Sequence, residues 1–172
     1  AINDCVDAVR PDPTSGDIYQ YESTGTSRQN QIIANFRTSI IPRVSIFGNY
    51  RYGFSKSDTD GTGSFPAYTY DLSGEYGRAS NDIRHYVTLV GNVQLPWDIS
   101  LNPFIIARSG GAFNITRGID LNGDGRYTER PTFAELGARC SELNLTASWC
   151  DVSGFDPNAV IPRNFGTSPS FF

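Results

Sequence analysis

Alternation with a period of two dominates the chain. In "QIIANFRTSI", Ile32, Ala34, Phe36, Thr38 and Ile40 share one face, and Gln31, Ile33, Asn35, Arg37 and Ser39 share the other. After "IPR" the alternation resumes in "VSIFGNYRYGFSKS", where Val44, Ile46, Gly48, Tyr50, Tyr52 and Phe54 oppose Ser45, Phe47, Asn49, Arg51, Gly53 and Ser55. Successive side chains of a strand point to opposite faces, so each segment reads as a strand with one apolar and one polar side. Setting Ile40 opposite Val44 brings Ile32 to Tyr52 on the apolar face and Asn35 to Asn49 on the polar one. One register satisfies both faces, and a slip of one residue would mix them. The pattern predicts a hairpin near residues 28–57.

A second hairpin is expected near residues 82–110. "RHYVTLVGNVQL" places His85, Val87, Leu89, Gly91, Val93 and Leu95 on one side; after "PWD", "ISLNPFIIARSG" does the same for Ile99, Leu101, Pro103, Ile105 and Ala107. Leu95 then faces Ile99, Val93 faces Leu101 and Asn92 faces Asn102. "DIYQYESTG" is expected to add a further strand, and "PTFAELGARCSEL" a short helix.

The placement of charge says what the faces meet. Arg37, Arg51, Arg84 and Arg108 fall on the polar faces, whereas the apolar faces carry no full charge apart from Lys56 at one strand end. In a membrane barrel the apolar face meets lipid, which makes these four arginines lumen-facing. A water-soluble sandwich would segregate charge in the same way, but two features separate the alternatives. The tight connections "IPR" and "PWD" fall at one end of the strands, and long polar excursions, residues 57–81 and 109–163, fall at the other. Outer-membrane barrels show this asymmetry, with short periplasmic turns and long extracellular loops. Aromatic residues also gather near strand ends, Tyr50, Tyr52 and Phe54 toward the long loops and Trp97 in a short turn, as interfacial girdles do.

The expected fold class is therefore all-β: an antiparallel meander of long hairpins, part of a transmembrane β-barrel, with long extracellular loops. About five strands do not close a barrel, since the smallest single-chain ones use eight, so residues 1–172 are expected to be a partial barrel without a plug domain.

Composition narrows the classes further. The chain has 172 residues, 38% of them hydrophobic, with 17 Gly and 10 Pro, and no run approaches the roughly 20 apolar residues of a membrane helix. That excludes a helical membrane protein and leaves a barrel open. Net charge is −4 and the basic residues are scattered singly, which argues against a nucleic-acid partner. Met is absent, so the chain is expected to begin within a longer protein or after processing. Cys140 and Cys150 bracket the polar stretch "SELNLTASW", which predicts a local disulfide and an oxidising compartment; the partner of Cys5 is expected outside this sequence.

Candidate chemistry is sparse. His85 is the single histidine and opens a strand on the apolar register, which suits an interfacial ring better than a catalytic base. The three cysteines lack CxxC spacing, and "GTGS" and "GRAS" lack a phosphate-loop lysine. Asp58 and Asp60 read as loop-solvating carboxylates, and no enzyme is expected. "GIDLNGDGRY" is the exception, because Asp120, Asn122, Asp124 and Gly125 are spaced as in an EF-hand, although the twelfth position is Pro131 rather than Glu. Asp120, Asn122, Asp124 and the carbonyl of Arg126 offer four oxygens, and Glu129, two positions early, offers more in a loop free of flanking helices. Ca²⁺ is the candidate cofactor, with affinity near 0.1 to 1 mM; an Asx-rich turn without metal is the alternative.

The order of these segments also carries a resemblance. "NDIRHYVTLVGNVQLPWDISLNPFIIARSGGAFNITRGIDLNGDGRYTERPTFA", followed later by "IPRNFGTSPSFF", resembles the C-terminal barrel segment of Oar-like TonB-dependent outer-membrane receptors of the acidobacterial type. The match covers residues 80–134 and 160–172; the plug, the energy-coupling box and the final strand of that family are not found in it. The resemblance implies a bacterial outer-membrane location and uptake of large ligands. It also implies as partners the remainder of the barrel and plug, outer-membrane lipid, and an energy-coupling protein. The alternatives are a secreted or surface β-rich binding module stabilised by calcium and a disulfide, and a structural barrel piece in a larger membrane assembly.

Overall fold

The computed structural model describes Asp12, Thr14, Ser15 and residues 18–170. Its main element is an antiparallel sheet ordered β1 (Ser27–Ile41), β2 (Val44–Ser57), β4 (His85–Gln94) and β5 (Ser100–Leu101). The short β3 (Gly77–Arg78) pairs with the end of β2, and β6 (Phe104–Arg108) continues along β4 beyond β5. Among the described residues only one α-helix forms, α1 (Phe133–Glu142), with a 3₁₀ turn at Ser148–Cys150 and a small ribbon of β7 (Ala112–Phe113) with β8 (Gly166–Thr167).

The hairpin registers follow from the alternation. Asn49 Nδ2 donates to Asn35 Oδ1 at 2.6 Å and Asn92 Nδ2 to Asn102 Oδ1 at 2.7 Å, so both polar pairs sit directly opposite. The side chain of Ile40, expected opposite Val44, lies outside the described residues. Between the hairpins, Val44 pairs with Val93, Tyr50 with Val87 and Tyr52 with His85, which keeps one apolar face continuous across the strands. Two glycines make room on that face: a Cβ on Gly48 would meet the Phe36 ring at 2.0 Å, and one on Gly91 would meet Pro103 Cγ at 2.8 Å.

Two departures from expectation, and the expected tight turn after β4, have local causes. "ISLNPFIIARSG" is not one strand, because Pro103 has no N–H to give the ladder and the strand divides into β5 and β6 around it. The connection after β4 turns through Trp97 and Asp98, both with positive φ (64° and 57°), the hand that matches strand twist in tight hairpins. No strand forms from Ile18 to Gly25, the described part of "DIYQYESTG". Ile18 and Tyr21 are exposed there, and Tyr19 instead packs edge-on against Phe65 with ring centroids 5.3 Å apart. Alternation makes a strand only where a ladder partner is present.

The chain divides into two compact units. One is built from Gln29–Ser55 and Asn81–Gly111, which hold most of the long strands, together with the described residues from Ser168; the other from Lys56–Ser80 and Ala112–Thr167 with the described residues up to Arg28. In the strand unit no described hydrophobic side chain is buried. Ile32 (71% exposed) and Ile105 (53%) project from one face, Phe47 (44%) and Phe104 (64%) from the other. The loop unit has its own core of Phe133, Leu136, Cys140 and Ile161, flanked by Ile115, Trp149, Val152 and Phe165. Phe133 stacks on Phe155 at 4.3 Å and meets Phe165 edge-on at 5.4 Å. The Thr132 hydroxyl caps α1 by accepting from the Glu135 N–H, while the Glu135 carboxylate accepts from the Thr132 N–H, a reciprocal capping box. The Cys140–Cys150 disulfide ties the helix to the 3₁₀ turn across a Cα separation of 5.8 Å.

Candidate functional site

The loop unit folds around short polar side chains that bond backbone rather than solvent. Asp120 Oδ1 accepts the Gly123 N–H at 2.8 Å and Oδ2 accepts the Gly125 N–H at 2.9 Å. Asn122 Oδ1 accepts the Asp124 N–H (3.1 Å), and Asp124 Oδ1 accepts the Arg126 N–H (2.8 Å), giving two Asx turns in succession. Gly123 and Gly125 sit at φ 72° and 77°, a region that side chains with a Cβ avoid. Glu129 returns from the far end of the loop, where its Oε1 accepts the N–H groups of Leu121 (2.9 Å) and Asn122 (3.2 Å). Asp120, Asp124 and Glu129 thereby each bring a carboxylate oxygen within 4.8 Å of the others. Of the other expected ligands, Asn122 uses its amide nitrogen to hold Ala67 O (3.2 Å), and Arg126 lays its guanidinium over Tyr19 (4.1 Å) and Phe65 (3.8 Å). Both rings offer the cation their negative faces.

Two ion pairs, unanticipated from sequence, fix the loops around this turn, one buried on both sides and one only on the arginine's. Arg130 bonds Glu75 through Nη1 (3.1 Å) and Nη2 (2.9 Å), and it also donates to Gly74 O and Ile161 O. Arg163 pairs with Asp60 and donates to Ser57 O at 3.0 Å. Burial works against ionisation of Asp60, but hydrogen bonds from the Ser80 N–H and Asn164, with the charge of Arg163, carry its pKa below the ordinary 3.8. Glu135 is also held low, first by the Thr132 N–H and then by Arg117. No sequence signal marks these pairs, since Arg130 and Glu75 are 55 residues apart.

In the strand unit, Tyr86 pairs with Arg51 in β2 and with Arg108 in β6, and the Arg51 guanidinium lies 4.7 Å from the Tyr86 ring. Arg37 is exposed on β1. Arg84 precedes β4, with Nε 3.3 Å from Asp82 Oδ2. His85 accepts or donates at 2.8 Å with the Tyr50 hydroxyl and its ring lies 5.2 Å from that of Tyr52, an aromatic cluster at the strand end. Asp58 holds Thr26, accepting its N–H at 2.7 Å. Cys5 lies outside the described residues.

A single-layer sheet with exposed apolar side chains, whose strands are joined alternately by tight turns and by long connections that carry a core of their own, is the architecture of a membrane barrel wall. The chain belongs to the outer membrane beta barrel domain family, whose model matches residues 3–171. It is an outer-membrane protein. No helix among the described residues is long and apolar enough to cross a membrane. Comparison with curated proteins and with solved structures gave no match in either set.

Proposed function

We propose that this chain forms wall and extracellular loops of a TonB-dependent outer-membrane transporter of the Oar-like type, taking up large ligands. The observation that carries the reading is the contrast between connections. Those at one end of the strands are turns of two or three residues, while those after Ser57 and after Arg108 build a folded unit with its own core, disulfide and buried ion pair. A passive pore needs only loops that do not obstruct it; a receptor needs an ordered extracellular surface. Sequence order from Asn81 to Ala134, resembling that family, supports the same assignment. On this reading the face bearing Arg37, Arg51, Arg84 and Arg108 looks into the lumen, and no residue acts as a catalyst. The partners are the rest of the barrel and its plug, outer-membrane lipid, and an energy-coupling protein.

The test is association. Solubilised outer membranes carrying the tagged native protein are passed over the periplasmic domain of the host TonB. Retention is the expected result. A protein that is not retained and that gives a stable open conductance in planar bilayers would be a passive barrel, which would overturn the proposal.

A further inference from the structure

One buried oxygen in the acidic loop points to a ligand. Glu129 is 1% exposed; its Oε1 is engaged by two backbone N–H groups, but its Oε2 is buried without any hydrogen-bond partner. A buried carboxylate oxygen left unsatisfied is costly, and native proteins rarely keep one without a use. The loop also concentrates charge, because Asp120 and Asp124 each place a carboxylate oxygen within 4.8 Å of one from Glu129. Among the described residues no Lys, Arg or His forms an ion pair with any of the three. Arg126, the nearest base in sequence, is committed to the Tyr19 and Phe65 rings.

The geometry fits a cation. Oxygens bound to one Ca²⁺ at about 2.3 to 2.6 Å lie no more than about 5 Å apart, and a carboxylate has roughly four lone-pair sites, so those already accepting N–H groups keep capacity for a metal. The EF-hand frame places its bidentate Glu by a helix; here the chain itself folds back to deliver Glu129 to the amides of Leu121 and Asn122.

We propose that Asp120, Asp124 and Glu129 hold one calcium ion, and that binding locks this loop to the preceding long excursion. Asp124 and its loop neighbours Asn122 and Thr128 already grip that excursion. Thr69 Oγ1 donates to Asp124 Oδ2 (3.2 Å), Asn122 Nδ2 to Ala67 O (3.2 Å) and Thr128 Oγ1 to Pro66 O (2.8 Å). An ion that fixes Asp124 and Glu129 therefore fixes the 66–69 segment with them. Hard oxygen ligands exclude soft metals, and a loop of carboxylates and amide oxygens suits the irregular coordination of Ca²⁺ better than the strict octahedron of Mg²⁺.

The proposal stands apart from the transport reading, and its test does not use TonB. The native protein is purified in detergent, stripped with EDTA, and hydrogen exchange is followed in peptides spanning 64–72 and 118–131. Millimolar Ca²⁺ is expected to slow exchange in both peptides by about tenfold or more, with half-effect near 0.1 to 1 mM, and equal Mg²⁺ to leave them unchanged. Glu129→Gln keeps the acceptor for Leu121 and Asn122 and should abolish the response to Ca²⁺, as should Asp120→Asn at the loop surface. Identical exchange of the wild type with and without Ca²⁺ would overturn the site, as would a Glu129→Gln protein that responds like the wild type. Equal slowing by Mg²⁺ would overturn the choice of calcium.

Discussion

The strand unit and the loop unit are held together by different physics. The strand unit is ordered by its ladders and by cross-strand pairs such as Asn35 with Asn49, and it leaves Ile32, Phe36, Leu101 and Ile105 exposed. The loop unit buries Phe133, Leu136 and Ile161 and pairs its buried arginines, Arg130 with the buried Glu75 and Arg163 with the more exposed Asp60. A wall takes its hydrophobic partner from lipid, where every backbone group must be satisfied within the sheet. A loop that stands in water must carry its own core. The comparison teaches that one chain, with one overall composition, divides its apolar residues by the solvent each part meets.

Emptying the loop core should have the largest effect. Phe133→Ala should cost about 3–5 kcal/mol, because Phe133 touches both Phe155 and Phe165 and the cavity cannot collapse between fixed rings. Hydrogen exchange should accelerate in residues 133–142 and 155–165 and stay unchanged in β2 and β4. Equal acceleration in the strands would show one cooperative unit where two are described.

Next in size is a pair of substitutions at adjacent residues of β6. Ile105 stands opposite Leu89 on the apolar face, and Ile106 stands opposite Thr88 on the other. Ile105→Arg should cost about 2–4 kcal/mol in lipid vesicles, the penalty of a cation near the bilayer midplane, and Ile106→Arg less than about 1 kcal/mol. Folding titrations that gave the two variants equal losses would refute the assignment of faces.

Removing the disulfide should weaken the loop unit alone. Cys140→Ser with Cys150→Ser should lower loop-unit stability by about 2–3 kcal/mol, the chain-entropy value for a separation of 10 residues, and reduction of the wild type should do the same. Urea midpoints read by Trp149 fluorescence report it, since Trp149 packs against the loop core. Thr132→Ala, which breaks the capping box of α1, should cost about 1 kcal/mol by the same measurement.

Much of the wall was legible and little of the loop unit was. Period-two alternation is local, so it located β1, β2 and β4, and the matching Asn pairs set both hairpin registers. Cys140, Cys150 and the helix between Phe133 and Glu142 were legible for the same reason, lying within one short window. The alternation misled at "DIYQYESTG", where no strand forms among the described residues, and it ran across Pro103, whose missing N–H divides the strand. The two-residue strands β3, β7 and β8 are too short to carry a period. The core contact of Phe133 with Ile161 and the ion pairs of Arg130 and Arg163 depend on the path of the folded loops, which no neighbouring residue encodes. Glu129 is legible as a ligand candidate, yet its engagement with Leu121 and Asn122 follows from the fold-back of the loop rather than from EF-hand spacing.

The smallest effect is a pH dependence confined to the loop unit. Asp60 is held below its ordinary pKa of 3.8: burial opposes this, and the Ser80 N–H, Asn164 and Arg163 prevail. A depressed carboxylate stabilises the folded state fully above its unfolded pKa, and that contribution is lost as pH falls through the folded value. Loop-unit stability should therefore hold from neutrality to about pH 4 and decline below it. Asp60→Asn removes the charge that Arg163 pairs with, so the variant should be less stable than the wild type at pH 7. The gap between them should narrow as the wild-type carboxylate is protonated. Asp58 and Glu135 are also depressed and persist in the variant, so their share of the acid loss cancels in the difference. Urea midpoints of the two proteins between pH 7 and about pH 2 measure that gap; one that stayed constant throughout would show that Asp60 acts through shape and hydrogen bonding, with its charge contributing nothing.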